Sequence, residues 1–323
     1  VATSEFELIR RYFTHRGRHT ILGVGDDAAL VTSRSGFDLV ISADMLVAGR
    51  HFRHGTNPRR LGHKALAVNL SDMAAMGAEP RWATLALALP APDARWLKEF
   101  SSGFMTLARR FDVDLIGGDT TRGPLNISVQ IMGEAPTGTA LRRDKANIGD
   151  DIWVSGTLGD AALAVAMHKR RIRLTPQERA QCESRLDRPQ PRVALGLALR
   201  NLAHSAIDVS DGLLADLDHI LERSGVAAEI AIAALPASKI IERHLREVVA
   251  LRALLAGGDD YELCFTAPRP ARARIIRAAR EVRVAVTRIG NVLACRRHVP
   301  RLVVRAPDGS AMRVVRGGYD HFS

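Results

Sequence analysis

The stretch KALAVNLSDMAAMGAEP, Lys64 to Pro80, decides how this chain is read. Just upstream, Asn57-Pro58 forms a helix start, with Asn as N-cap and Pro at the first helical position. Leu61, Ala65, Leu66, Val68, Met73 and Met76 then recur at helical spacing, and Gly77 closes the segment. Asp72 breaks the pattern. It stands near the end of an apolar helix, where Met, Leu or Ala is expected and an unpaired carboxylate is costly.

Working outward, Asp38 to Ala43 (DLVISA) reads as a short strand ending at Asp44. Downstream, a helix from about Pro92 to Phe111 leads into an apolar strand, Val113 to Ile116, that breaks at Gly117-Gly118-Asp119. Asn126 to Glu134 alternates like a strand. Ala135 to Gly149 is rich in Gly, Pro and charge and weak in periodicity, which marks a domain boundary. The second half restarts with a strand over 151–154, then helices over roughly 159–170, 176–186 and 190–201. A strand-like Ala206 to Val209 runs into Ser210-Asp211-Gly212 and another helix. Both halves mix strands with helices and set aspartates just past strands. That order favours two α/β or α+β domains, taken as residues 1–138 and 149–323.

Composition narrows the class. The 323 residues are 46% hydrophobic and 25% charged, an ordinary globular balance with enough chain for two cores. No apolar run approaches the roughly 20 residues that span a bilayer. The opening VATSEFELIRRYF carries Glu5, Glu7, Arg10 and Arg11 where a signal peptide needs an apolar stretch, so none is expected. Cys182, Cys264 and Cys295 lie far apart and form no C-x-x-C pair, which disfavours disulfides and zinc and fits a reducing cytoplasm. The net charge of +11 suggests nucleic acid at first sight. Against this, aromatics are only 5% and no basic stretch is interleaved with them. The charge reads instead as a solvated Arg-rich surface that suits anionic substrates. No nucleic-acid partner and no membrane partner is expected.

Gly23-Val24-Gly25-Asp26-Asp27-Ala28 matches the dinucleotide-binding G-x-G-x-x-A only formally. Two carboxylates inside such a turn repel a pyrophosphate unless metal ions intervene. Gly-Lys never occurs, so there is no Walker P-loop, and G-x-S-x-G, H-E-x-x-H and the EF-hand loop are absent too. What remains is a set of acidic, Gly- or Ser-flanked turns around Asp26, Asp44, Asp72, Asp119, Asp208-Val209-Ser210-Asp211 and Gly257 to Glu262. Each alone is ordinary turn chemistry. Brought together, such carboxylates repel one another unless cations sit between them, and Mg²⁺ carried in with ATP phosphates is the economical answer.

These segments, in this order, resemble the thiamine-monophosphate kinase family of the aminoimidazole ribonucleotide synthetase superfamily. The resemblance runs through EFELIRRYF, GVGDDAAL, ISADMLVAGRHF, KALAVNLSDMAAMGAEP, LIGGDTTRGPL, AIDVSDGL, GGDDYELCFT and the terminal GYDHF. It implies ATP-dependent phosphorylation of thiamine monophosphate to thiamine diphosphate by direct in-line transfer with several Mg²⁺ ions. It also implies a two-domain fold, an N-terminal α/β domain followed by a C-terminal α+β domain, with N-terminal sheets joining in a homodimer. By position, Asp26, Ser42, Ala43, Asp44, Asp72, Asp119, Asp208 and Asp211 would hold the metal ions. Gly118, Asp119, Arg143 and Ser210 would contact ATP, and His51, Glu262 and Tyr319 the thiamine substrate. The family usually has Thr where this chain has Ala43, so a metal contact there can come only from the backbone carbonyl. Without the resemblance, His51 reads as a surface-loop histidine, Glu262 as the solvent face of a strand and Tyr319 as packing. Arg142 competes with Arg143 for the phosphate. Asp27, Asp150, Asp151, Asp259 and Asp260 read as turn or supporting residues.

Two other readings follow from the same residues. A different ATP-using member of the superfamily, such as a selenophosphate synthetase or an amidine-forming ligase, shares the acidic motifs. The selenium enzyme needs a reactive Cys near the N-terminus, whereas the first here is Cys182. The other is a basic nucleic-acid-binding protein.

Overall fold

The computed structural model describes residues 5–15 and 17–312, and divides the chain into two compact units. One comprises Val1–Met73 and Ala78–Gly138, the other Ala74–Gly77 and Thr139–Ser323.

The first unit opens with α1 (Glu5–Tyr12) and a small antiparallel pair, β1 (Thr20–Leu22) and β2 (Leu30–Val31). It continues through β3 (Phe37–Val47), α2 (Pro58–Ala75), β4 (Glu79–Leu89), α3 (Ala94–Arg110), β5 (Asp114–Arg122) and β6 (Asn126–Pro136). The four long strands form one sheet in the order β3-β6-β4-β5. Only β4 and β5 run parallel, because α3 carries the chain back between them. Helix α2 ends where Gly77, at φ +60°, lets the amides of Gly77 and Ala78 close back on the carbonyls of Ala74 and Met73. Met73 packs onto the sheet at Gly133 of β6. The helices α2 and α3 come together at glycine: a Cβ on Gly62 would lie 2.0 Å from the Phe100 carbonyl oxygen, and one on Gly103 1.9 Å from that of Arg59. Leu66, Leu70, Met73, Leu97, Phe100 and Phe104 are fully buried in this core.

Two expected element ends are corrected. The first strand does not stop at Asp44; β3 pairs with β6 at all eleven positions from Phe37 to Val47, so Asp44 lies inside it. Nor does the chain break at Gly117-Gly118-Asp119. There β5 absorbs one extra residue, Ile116, as a bulge against β4 and stays paired out to Arg122. Pairing with a neighbouring strand outweighs the weak strand preference of two glycines.

The second unit contains β7 (Asp151–Ser155), α4 (Asp160–His168), α5 (Pro176–Asp187), α6 (Val193–Leu199), β8 (Ser205–Asp208), α7 (Leu213–Ser224) and β9 (Ala227–Ala231). After these come α8 (Lys239–His244), α9 (Val248–Ala256), β10 (Leu263–Ala267), α10 (Arg272–Glu281), β11 (Val286–Leu293), β12 (Leu302–Arg305) and β13 (Ala311–Met312). Its seven strands form one sheet, β13-β12-β9-β11-β7-β10-β8, antiparallel except between β12 and β9. Strands β7, β8 and β10 are buried at every position, so both faces of the sheet are covered there. On one face Ile152, Val154, Leu163, Leu217, Ile220, Leu254 and Cys264 share a core. On the other, Trp153 and Phe265 stack at 6.3 Å. The chain is thus a mixed α/β unit followed by an α+β unit.

Candidate functional site

In the first unit, strand alternation decides which side chains of β3 can serve α2. Ser42 and Asp44 are half-buried, whereas Leu39, Ile41, Ala43 and Met45 between them are exposed. The Ser42 hydroxyl donates to the Asp72 carboxylate at 2.6 Å, tying β3 to the helix that carries the anomalous acid. Asp72 is therefore neither unpaired nor fully buried, which removes most of the cost its sequence position implied. Ala43 offers only its backbone, since its methyl belongs to the exposed apolar row.

A cavity of about 850 Å³ opens beside the middle of β5. Asp26, Asp27, Gly117, Gly118 and Asp119 line it, together with Arg10 and Phe13. Gly118 is required here: at φ +149° its Cα presses on β4, and a Cβ would lie 1.9 Å from the Leu85 carbonyl oxygen. Asp119 and Asp26 are exposed to this space, and the Asp27 amide donates to Asp26 at 2.8 Å. His51 is half-buried. Its Nδ1 accepts the Val47 N–H at 3.0 Å, so a neutral ring carries its proton on Nε2. Lys64, 2% exposed, points its ammonium toward the His51 carbonyl at 3.4 Å. A buried lysine in the deciding helix was overlooked in the sequence; the signal was a charge within an otherwise apolar run, of the kind that singled out Asp72.

The second unit supplies the remaining candidates. Asp208 ends β8 and is buried, while Ser210 and Asp211 follow in a half-buried loop before α7. One oxygen of Asp216 accepts the backbone N–H groups of Ser210, Asp211 and Gly212 at 3.0, 3.0 and 3.1 Å. Burial pushes the Asp216 carboxyl up to about 7, and the neighbouring Asp211 charge adds to this against the pull of those three donors. Burial also holds the Asp260 carboxyl well above its ordinary value, although both its oxygens accept from the Gly159 N–H. Arg142 and Arg143 are both exposed, and Arg142 is paired with Asp144 at 2.6 and 2.8 Å.

Glu262 departs from its sequence reading. It does not face solvent; it lies immediately ahead of β10 and is 0% exposed. Its carboxylate accepts from Ser155 at 2.6 Å, from Arg185 at 2.8 Å and twice from Arg192 at 2.6 Å. The two arginines were missed because their partner lies some seventy positions away in sequence. Tyr319 lies outside the described residues.

Among the described residues, no three His, Cys, Asp or Glu side chains gather into a ready metal cage. The donor chemistry still fits a hard cation, since Ser42 and the aspartates offer only oxygen. An ion that arrives with substrate phosphates needs no preformed protein cage.

Comparison with known proteins places this arrangement. The N-terminal domain of AIR synthase related proteins matches residues 25–135, and the C-terminal domain of the same proteins matches residues 147–303. Fold and site together thus define a two-domain AIR synthase related protein. Thiamine-monophosphate kinase of Escherichia coli (strain K12) is 45% identical over 327 residues, covering 100% of this chain and 99% of its own. The crystal structure of thiamine-monophosphate kinase from Stenotrophomonas maltophilia K279a matches with a TM-score of 0.84 and 48% identity, over 91% of this chain and 93% of that one. A structure of AaThiL complexed with AMPPCP and TMP matches with a TM-score of 0.77 and 29% identity, over 93% and 92%. The chain belongs to the thiamine-monophosphate kinase family.

Proposed function

We propose that this protein transfers the γ-phosphoryl group of ATP to thiamine monophosphate, giving ADP and thiamine diphosphate. A terminal phosphate oxygen of the acceptor attacks the γ-phosphorus in line, and the bond from that phosphorus to the ADP oxygen breaks. The observation that carries the reading is the shared cavity of Asp26, Gly118 and Asp119, in a chain alike over its full length to a thiamine-monophosphate kinase. The ligands named for the AaThiL complex, an ATP analogue and the phosphate acceptor, support the same pair of substrates.

Asp26, Ser42, Asp44, Asp72, Asp119, Asp208 and Asp211, with the backbone of Ala43, are assigned to hold Mg²⁺. Bound there, Mg²⁺ supplies positive charge against the phosphate oxygens as negative charge redistributes among them. Gly118, Asp119, Arg143 and Ser210 are assigned to ATP. The glycine brings backbone close to phosphate without a side chain in the way, and the exposed guanidinium offers a planar fork to phosphate oxygens. His51, Glu262 and Tyr319 are assigned to thiamine monophosphate, Glu262 acting together with Arg185 and Arg192, which occupy its carboxylate. Proton abstraction is not required of any side chain, since the attacking phosphate is already ionised near neutral pH.

The exposed row Leu39, Ile41 and Met45 on edge strand β3 supports a homodimer formed through the N-terminal sheets. The free cysteines fit a reducing cytoplasm, and among the described residues no helix is long and apolar enough to cross a membrane. Coupled ADP release with Mg²⁺-ATP tests the assignment. Turnover with thiamine monophosphate and none with free thiamine is expected; a folded protein releasing no ADP with thiamine monophosphate would refute it.

A further inference from the structure

The loop between β8 and α7 carries Ser210 and Asp211, and its backbone is held from two sides. Three consecutive N–H groups, those of Ser210, Asp211 and Gly212, converge on one oxygen of the buried Asp216. On the carbonyl side, the Asp259 N–H donates to Ser210 and the Tyr261 N–H to Val209, each at 2.8 Å. The Val209 N–H in turn donates to the Glu262 carbonyl at 2.7 Å. Asp259 and Tyr261 adopt φ of +68° and +51°, a left-handed backbone that non-glycine residues keep only when their surroundings demand it. The approach is close enough to need glycine, because a Cβ on Gly258 would lie 2.4 Å from the Ser210 carbonyl oxygen.

Three successive amides at a helix N-terminus are the usual receptor for a phosphate. Here that receptor is filled from within the chain. We propose that Asp216 is a positioning residue that occupies the amide nest of the Ser210–Gly212 loop, so that the loop meets the nucleotide with side-chain oxygens rather than backbone N–H groups. The ligand class for this loop is then a metal-complexed phosphate, which oxygens attract, and not a bare phosphate, which amides attract. This rests on the assignment of Ser210 and Asp211 to ATP and its metal.

The test uses the full chain with Asp216→Asn, which keeps an acceptor oxygen, and Asp216→Ala, which does not. Amide hydrogen exchange is read at 210–212 without nucleotide, and KM is read separately for ATP and thiamine monophosphate. Exchange at these amides is expected to accelerate at least about tenfold in the Ala variant and less than about threefold in the Asn variant. KM for ATP should rise at least about tenfold in the Ala variant, with KM for thiamine monophosphate changing less than about threefold. Unchanged exchange in a folded Ala variant, or equal acceleration in both variants, overturns the proposal. Should the Ala variant fail to fold, Asp216→Asn decides: retained protection at 210–212 supports it and lost protection overturns it. Asp211→Asn separates the two claims. If nucleotide affinity is unchanged by Asp211→Asn, the assignment of the loop to ATP falls, while the exchange result still reports what Asp216 holds.

Discussion

Asp72 and Ser42 show what a single residue discloses and what it conceals. The acid in the NLSD segment stood out because its neighbours at helical spacing are apolar. Its partner did not, because the 2.6 Å contact depends on a strand thirty positions earlier being laid across the helix. Glu262 failed for a related reason. Alternation with Leu263 and Phe265 put it on a solvent face, but it lies one residue ahead of β10, where Ser155, Arg185 and Arg192 close over its carboxylate. Asp216 carried no signal at all, since an aspartate in the first turns of a helix is common. Asp72→Asn and Asp211→Asn each keep size and hydrogen-bonding capacity while removing the charge assigned to hold Mg²⁺. Each should lower kcat by about 10²–10³-fold, on the scale of losing one preorganised electrostatic contact. Melting temperatures within a few degrees of the parent would show that the fold survives, and unchanged turnover would refute the metal roles.

The helices were the most legible elements. Asn57-Pro58 and Gly77 frame a segment that the structure makes helical over Pro58–Ala75, and the helix expected over 92–111 forms at Ala94–Arg110 with Asp93 as its cap. Strand ends were less legible, because pairing with a neighbour, which local sequence does not reveal, carried β3 past Asp44 and β5 past Gly118. The correction matters to the site, since Asp44 and Asp119 project from paired strands instead of turns. The glycines that set the approach of α2 and α3 were invisible too, because Gly62 and Gly103 resemble mild helix defects in isolation. Gly103→Ala gains up to about 1 kcal/mol in helix propensity. The added methyl meets a backbone carbonyl that no rotamer change can move, so overpacking of about 1–3 kcal/mol should prevail. Thermal or urea unfolding should show a net loss; a more stable variant would mean the helices can part freely.

At the scale of the whole molecule, no single motif named the chemistry. The order of eight segments along the chain did so, and the full-length likeness to thiamine-monophosphate kinases bears out both the two-domain fold and the family. An interface through β3 would not be legible in composition, since its apolar row alternates with Ser42 and Asp44 and passes for an ordinary half-buried strand. If the N-terminal sheets join there, Ile41→Asp should shift the protein from dimer to monomer in light scattering, while a parent protein that is already monomeric would contradict the assembly. Direct transfer of one phosphoryl group can be followed by phosphorus NMR of a single reaction. With ATP, Mg²⁺ and thiamine monophosphate, thiamine diphosphate and ADP should appear in equal amounts with no free phosphate. ADP and inorganic phosphate beside unchanged thiamine monophosphate, or AMP and pyrophosphate, would contradict direct transfer.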